Sequence, residues 1–116
     1  MTGIKFVNRH AISLFARDDL LEWVKSKKPR LHFWTLEMLN HRPSIYTIEM
    51  EDQNCHGMAL ETLYKRIVEN ELAYLDIAKE EWPEQITYEL FQRWFSYQYH
   101  EDIYDLCADV LVATED

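Results

Sequence analysis

The chain has 116 residues, 47% apolar, 14% aromatic and 28% charged, with only two Gly and three Pro. That excludes a low-complexity tail, a collagen-like repeat or a disordered linker and suits one globular domain over residues 1–116. At this size roughly two-thirds of the unfolded chain's surface can be buried, so a core forms without staples. The formal charge of −9 is segregated: residues 1–48 carry eight Lys or Arg against four Asp or Glu, a net of +4, and residues 49–116 carry four against seventeen, a net of −13. From Trp94 onward there are six carboxylates and no Lys or Arg. Such a field repels phosphate backbones and attracts a basic partner, which argues against nucleic acid and for a protein surface.

Cys55 and Cys107 are the two cysteines, with no CxxC spacing. The first residues lack the apolar stretch of a signal peptide, and no window approaches 18 apolar residues. The expectation is a cytosolic protein with reduced thiols and no membrane association.

In chain order, His10–Ala16 alternates as a strand, with Ile12 and Leu14 set against Ser13 and Phe15. Asp19, with Glu22 three residues on, has capping-box spacing and is expected to start a helix through Leu20, Leu21, Trp23 and Val24 that Pro29 stops. Thr35–Asn40 suits one or two further turns, ended by Pro43. Ile45–Met50 alternates as a second strand, and Glu51-Asp52-Gln53-Asn54 reads as a turn. Leu60, Leu63, Tyr64, Ile67, Val68, Leu72, Leu75, Ala78 and Trp82 hold helical spacing, predicting a long helix from about Gly57 to Trp82. Pro83 ends it, and Ile86, Leu90, Phe91, Trp94 and Phe95 form the stripe of another helix. After Phe95 two readings stay open. Tyr97 and Tyr99, then Tyr104, Leu106, Ala108, Val110 and Val112, suit a third strand, or a helix followed by a short strand. The expected class is α+β, a two- or three-stranded sheet packed with three or four helices; the alternative is an all-α bundle.

The segments Asn8-Arg9-His10-Ala11-Ile12, Leu20-Leu21-Glu22-Trp23-Val24 and Thr35-Leu36-Glu37, in that order, resemble a group of small acidic bacterial proteins. Ile45-Tyr46-Thr47-Ile48, Trp82-Pro83, Glu89-Leu90-Phe91-Gln92-Arg93-Trp94-Phe95 and Tyr104-Asp105-Leu106 continue the resemblance. It implies a bacterial origin and a compact domain, and carries no catalytic residue across.

The densest polar group is Tyr97–Asp105. On a helix, Glu101 and Asp105 would share a face beside His100; on a strand, His100 and Asp102 would. Imidazole plus carboxylates can hold a divalent metal, but neither spacing matches an established motif. Cys55-His56 pairs a thiol with an imidazole, the elements of a nucleophile, without a third group to orient them. Cys107, between Leu106 and Ala108, reads as a small buried hydrophobe. His10, His32 and His41 read as satisfied or exposed histidines. Lys25–Arg30, ahead of Phe33-Trp34, is a small basic cluster, most simply a solvated helix end.

Trp82, Tyr88, Phe91, Trp94, Phe95, Tyr97, Tyr99 and Tyr104 crowd into 23 residues, more rings than so small an interior readily holds. Rings at the surface rimmed by carboxylates have the composition of an interface. The expected function is therefore non-catalytic binding of a macromolecule through an acidic, aromatic-rich surface around residues 82–109. Its partner residues would be Trp82, Trp94, Tyr97, Tyr99, Glu101, Asp102, Tyr104 and Asp105. The partner would be a basic protein surface or a second copy in a homodimer, with Lys25–Arg30 one contact. No cofactor is implied. The alternative is a small metal-dependent hydrolase using His100, Glu101, Asp102 and Asp105.

Overall fold

A computed structural model describes residues 4–49 and 56–114, and the side chains of 4–49 and 60–114. Strand β1 is Lys5–Phe6, β2 is His10–Ala16, helix α1 is Asp18–Lys27, α2 is Leu36–Leu39 and β3 is Ser44–Ile48. Helices α3, His56–Tyr74, and α4, Tyr88–Trp94, follow, then β4, Phe95–His100, and β5, Tyr104–Asp105. The fold is a small α+β one. Its main sheet is antiparallel in the order β3-β2-β4, and β1 and β5 form a separate ribbon.

Register decides which residues face the core. Ile12 lies between Tyr46 and Tyr99, and Leu14 between Ser44 and Tyr97, while Phe95 sits opposite Ala16. Alternation puts these residues on one face. On that face Ile12, Leu14 and Phe95 pack with Leu20 and Val24 of α1, Leu60, Val68 and Leu72 of α3, and Phe91 of α4. The other face carries Ala11, Ser13, Ile45, Thr47, Gln98 and His100. The Asn40 side chain closes the end of β2 as a strand would: its Oδ1 accepts from the Ala16 N–H at 2.7 Å and its Nδ2 donates to the Ala16 carbonyl at 3.0 Å.

Three boundaries differ from the sequence expectation. Helix α1 begins two residues early, with extended Arg17 in place of Asp19 as its N-cap and no side-chain cap, so Asp18 and Asp19 occupy the first turn. There their charges oppose the positive end of the helix dipole. Helix α3 stops at Tyr74, well before Trp82. Asp76 adopts a left-handed φ of 59°, its N–H donates to the Ala73 carbonyl at 3.0 Å, and the Ile77 N–H donates to the Leu72 carbonyl at 3.1 Å. This is a Schellman ending, sealed by buried Leu72 and Ile77, and the Lys28 ammonium donates to the Leu75 carbonyl at 3.1 Å. Finally, Phe95 leaves the helix and opens a strand. α4 is only the seven residues after its Thr87 cap, whose Oγ1 accepts from the Leu90 N–H at 3.1 Å.

Candidate interaction site

The crowded rings divide between core and surface. Trp94, counted from sequence among the surface residues, is 4% exposed and packs on Trp23 with ring centroids 4.8 Å apart. Phe91 and Phe95 are buried beside it, centroids 5.8 Å apart. Trp82 is half-buried: its Nε1 donates to the Ile77 carbonyl at 3.0 Å, and Lys79 Nζ lies over its ring. Tyr99 is half-buried on the core face, where its hydroxyl shares a hydrogen bond with Nδ1 of buried His10. Tyr97 and Tyr104 are the members of the set with exposed rings.

His100, Glu101, Asp102 and Asp105 are not gathered into a ligand set. His100 ends β4 and its Nε2 lies 3.0 Å from the Ser13 hydroxyl, a diagonal pair across β2 and β4. Asp105 Oδ1 accepts from the Cys107 N–H at 2.8 Å, closing a turn. Asp102 is exposed and Glu101 half-buried in the bend between β4 and β5. Among the described residues no group of three or more His, Cys, Asp or Glu side chains is placed to hold a metal ion. Cys107 is exposed, against the expectation of a buried hydrophobe. Cys55 lies outside the described residues, as does the side chain of His56. His32 and His41 are exposed. In Lys25–Arg30, Lys25 and Lys27 occupy the last turn of α1, with Lys27 Nζ over the Trp23 ring.

What the structure does gather is an apolar, acid-edged projection. Phe6 of β1 packs edge-on against Tyr104 of β5 at 5.8 Å, both half or more exposed, and Ile4 continues their surface. The Val7 N–H extends the ribbon by donating to the Ile103 carbonyl at 2.8 Å. Beyond β5 the chain runs without regular structure through 106–114, where Lys5 Nζ donates to the Ala108 carbonyl at 3.0 Å and to the Asp109 carbonyl at 3.4 Å. Leu106, Val110, Leu111 and Val112 are 75–82% exposed along this segment. Asp109 within it and Asp102, in the bend before β5, are exposed carboxylates. Sequence analysis marked the even-numbered apolar positions from Tyr104 to Val112 as strand-like; Tyr104 pairs with Phe6, while 106–114 form no strand with the described residues. It missed Ile4 and Phe6 entirely, since two isolated apolar residues carry no period.

A second feature lies between β3 and α3. Two hollows of about 400 and 380 Å³ share Thr47, Ile48, Leu63 and Arg66, making one groove along the outer edge of β3. Arg9 and Glu49 stand at one end, and Tyr46 and Asn70 at the other. That latter end is braced by a polar network. Tyr46 and Ser44 both donate to Glu71 Oε2, the latter at 2.8 Å, and Asn70 Nδ2 donates to the Tyr46 hydroxyl at 3.0 Å. Burial, then the Glu71 carboxylate, push the Tyr46 hydroxyl well above the usual tyrosine range.

No described helix is long and apolar enough to cross a membrane. No protein-family model, curated protein or solved structure matches the chain.

Proposed function

We propose that this protein is a non-catalytic binding module that docks a basic protein surface on the β1–β5 ribbon and the segment after it. The observation that carries this reading is the run of apolar side chains there, Phe6, Tyr104, Leu106 and Val110–Val112, left in water at the acidic end of the chain. An exposed apolar stretch edged by charge marks a contact site more often than a bare surface. Tyr104 and Phe6 would anchor the contact. Asp102 and Asp109 would steer the approach, making association fast and sensitive to salt. Tyr97, opposite Leu14 in the main sheet, lies outside the site, and Trp94, Trp82 and Tyr99 pack into or against the core.

The test is capture from lysate of the source cell at low and high salt, with a Tyr104→Ala/Asp102→Asn control. A basic protein retained at low salt, released at high salt and missed by the control supports the reading. Equal recovery on the control sinks it.

A further inference from the structure

The groove along β3 has the complementary character to the segment 106–114. Among the described residues β3 is an edge strand, with β2 on one side and no strand on the other. An unpaired edge is a template for another strand. Next to it, Leu63 and Ile48 offer an apolar floor, and Arg9, Arg66 and Glu49 lie on the rim, where the two guanidiniums outnumber the one carboxylate. Neither arginine is in an ion pair among the described residues. The segment 106–114 has the matching properties. Leu106, Ala108, Val110 and Val112 share its even positions, Leu111 and Ala113 extend the apolar run between and after them, its one charge is Asp109, and from Trp94 onward the chain has carboxylates and no Lys or Arg. Position agrees as well. The ribbon precedes His10, and His10 is paired with Ile48, so the ribbon projects from the end of the sheet where Arg9 opens the groove, and the segment leaves its far end beside Lys5.

Resting on the proposed binding role of this segment, we infer that its occupant is a second copy of this chain. Residues 106–113 of each copy add as an extra strand to the β3 edge of the other, with the even-numbered side chains over Leu63 and Ile48. Exchange around a two-fold axis makes both contacts identical, so the assembly closes as a dimer and does not grow into a fibre. The areas are compatible. The chain exposes 8746 Å², against roughly 6,700 Å² for a compact monomer of its mass. A standard interface takes about 800 Å² from each partner.

The experiment is sedimentation equilibrium of the full chain at 5–200 µM on wild type, a tail variant (Val110→Asp/Val112→Asp), a groove variant (Arg66→Glu) and an equimolar mixture of the two variants. All substituted residues are exposed, and circular dichroism checks that each variant folds. The expected result is a dimeric wild type, weakened at least tenfold in each variant alone. In the mixture, the intact tail of the groove variant meets the intact groove of the tail variant, and part of the dimer returns. A wild type that stays monomeric, with the tail free or folded onto its own groove, overturns the proposal. So does a dimer that the groove variant leaves unchanged. If wild type is monomeric yet Tyr104→Ala/Asp102→Asn still loses a captured basic protein, the second-copy proposal fails and the binding role stands.

Discussion

Tyr46 and Trp94 show how differently two aromatic side chains in one small domain are used. Trp94 fills space between α1 and the sheet, so Trp94→Ala removes a large buried ring and should cost about 3–5 kcal/mol in urea unfolding. Tyr104→Ala, at an exposed ring, should shift stability by less than about 0.5 kcal/mol while abolishing partner capture. Equal losses from the two would refute the division between core and surface rings. Tyr46 is held for its hydroxyl, which donates to Glu71 between β3 and α3. Tyr46→Phe leaves that carboxylate with Ser44 as its remaining donor from β3 and should lose about 1–3 kcal/mol at pH 7. The pH dependence has a definite sign. The folded state raises the Tyr46 pKa above its ordinary value of 10.0. Below that value both states hold the proton and the full stability is present. Above it the unfolded chain ionises first, and stability falls as pH rises. Denaturant midpoints at pH 8 and 11 should therefore converge more closely in Tyr46→Phe than in wild type.

Among the elements, the ends of the helices carry the information that periodicity lacks. The apolar spacing of α3 runs on through Leu75, Ala78 and Trp82, yet the helix ends at Tyr74, because Asp76 turns left-handed and Ile77 folds back on Leu72. A glycine at 76 would have announced the stop; aspartate hides it. Asp76→Gly should stabilise the protein by about 0.5–1 kcal/mol, since glycine adopts this backbone without a Cβ penalty. The Lys28–Asp76 ion pair it removes, at 3.8 Å with the Asp76 carboxylate in water, contributes little. A midpoint that falls instead would mean that the pair outweighs the backbone. Thr87→Ala, which deprives α4 of its capping oxygen, should cost about 1 kcal/mol in the same measurement.

At the scale of the molecule, the chain is longer and thinner than its size requires. Its radius of gyration is 16.3 Å and its extents are 54 × 29 × 25 Å, where about 13 Å is usual for a compact chain of this length. The segment 106–114 buries no side chain in the core. Truncation after Cys107 should therefore leave the unimolecular fold intact. It should also make the thermal midpoint independent of protein concentration, whereas the full chain's midpoint should rise with concentration as dimerisation stabilises it. A midpoint that is flat for both chains would count against exchange.

The amino-acid sequence by itself determined the strand His10–Ala16, the amphipathic body of α3 and the separation of charge between the two halves, and favoured the α+β class over an all-α bundle. Each is a local or additive property, read from period or composition. It left open whether residues 95–100 form helix or strand. The tertiary structure decided for strand, because Phe95–His100 finds a backbone partner in β2. Exposure was likewise a tertiary decision: Trp94 and Tyr104 belong to one aromatic-rich stretch of the sequence, and packing against Trp23 buries the first while the second stays in water. The groove between β3 and α3 brings Arg9 and Arg66 together from 57 residues apart. No spacing rule could have joined them, since their proximity depends on how the helix crosses the edge of the sheet.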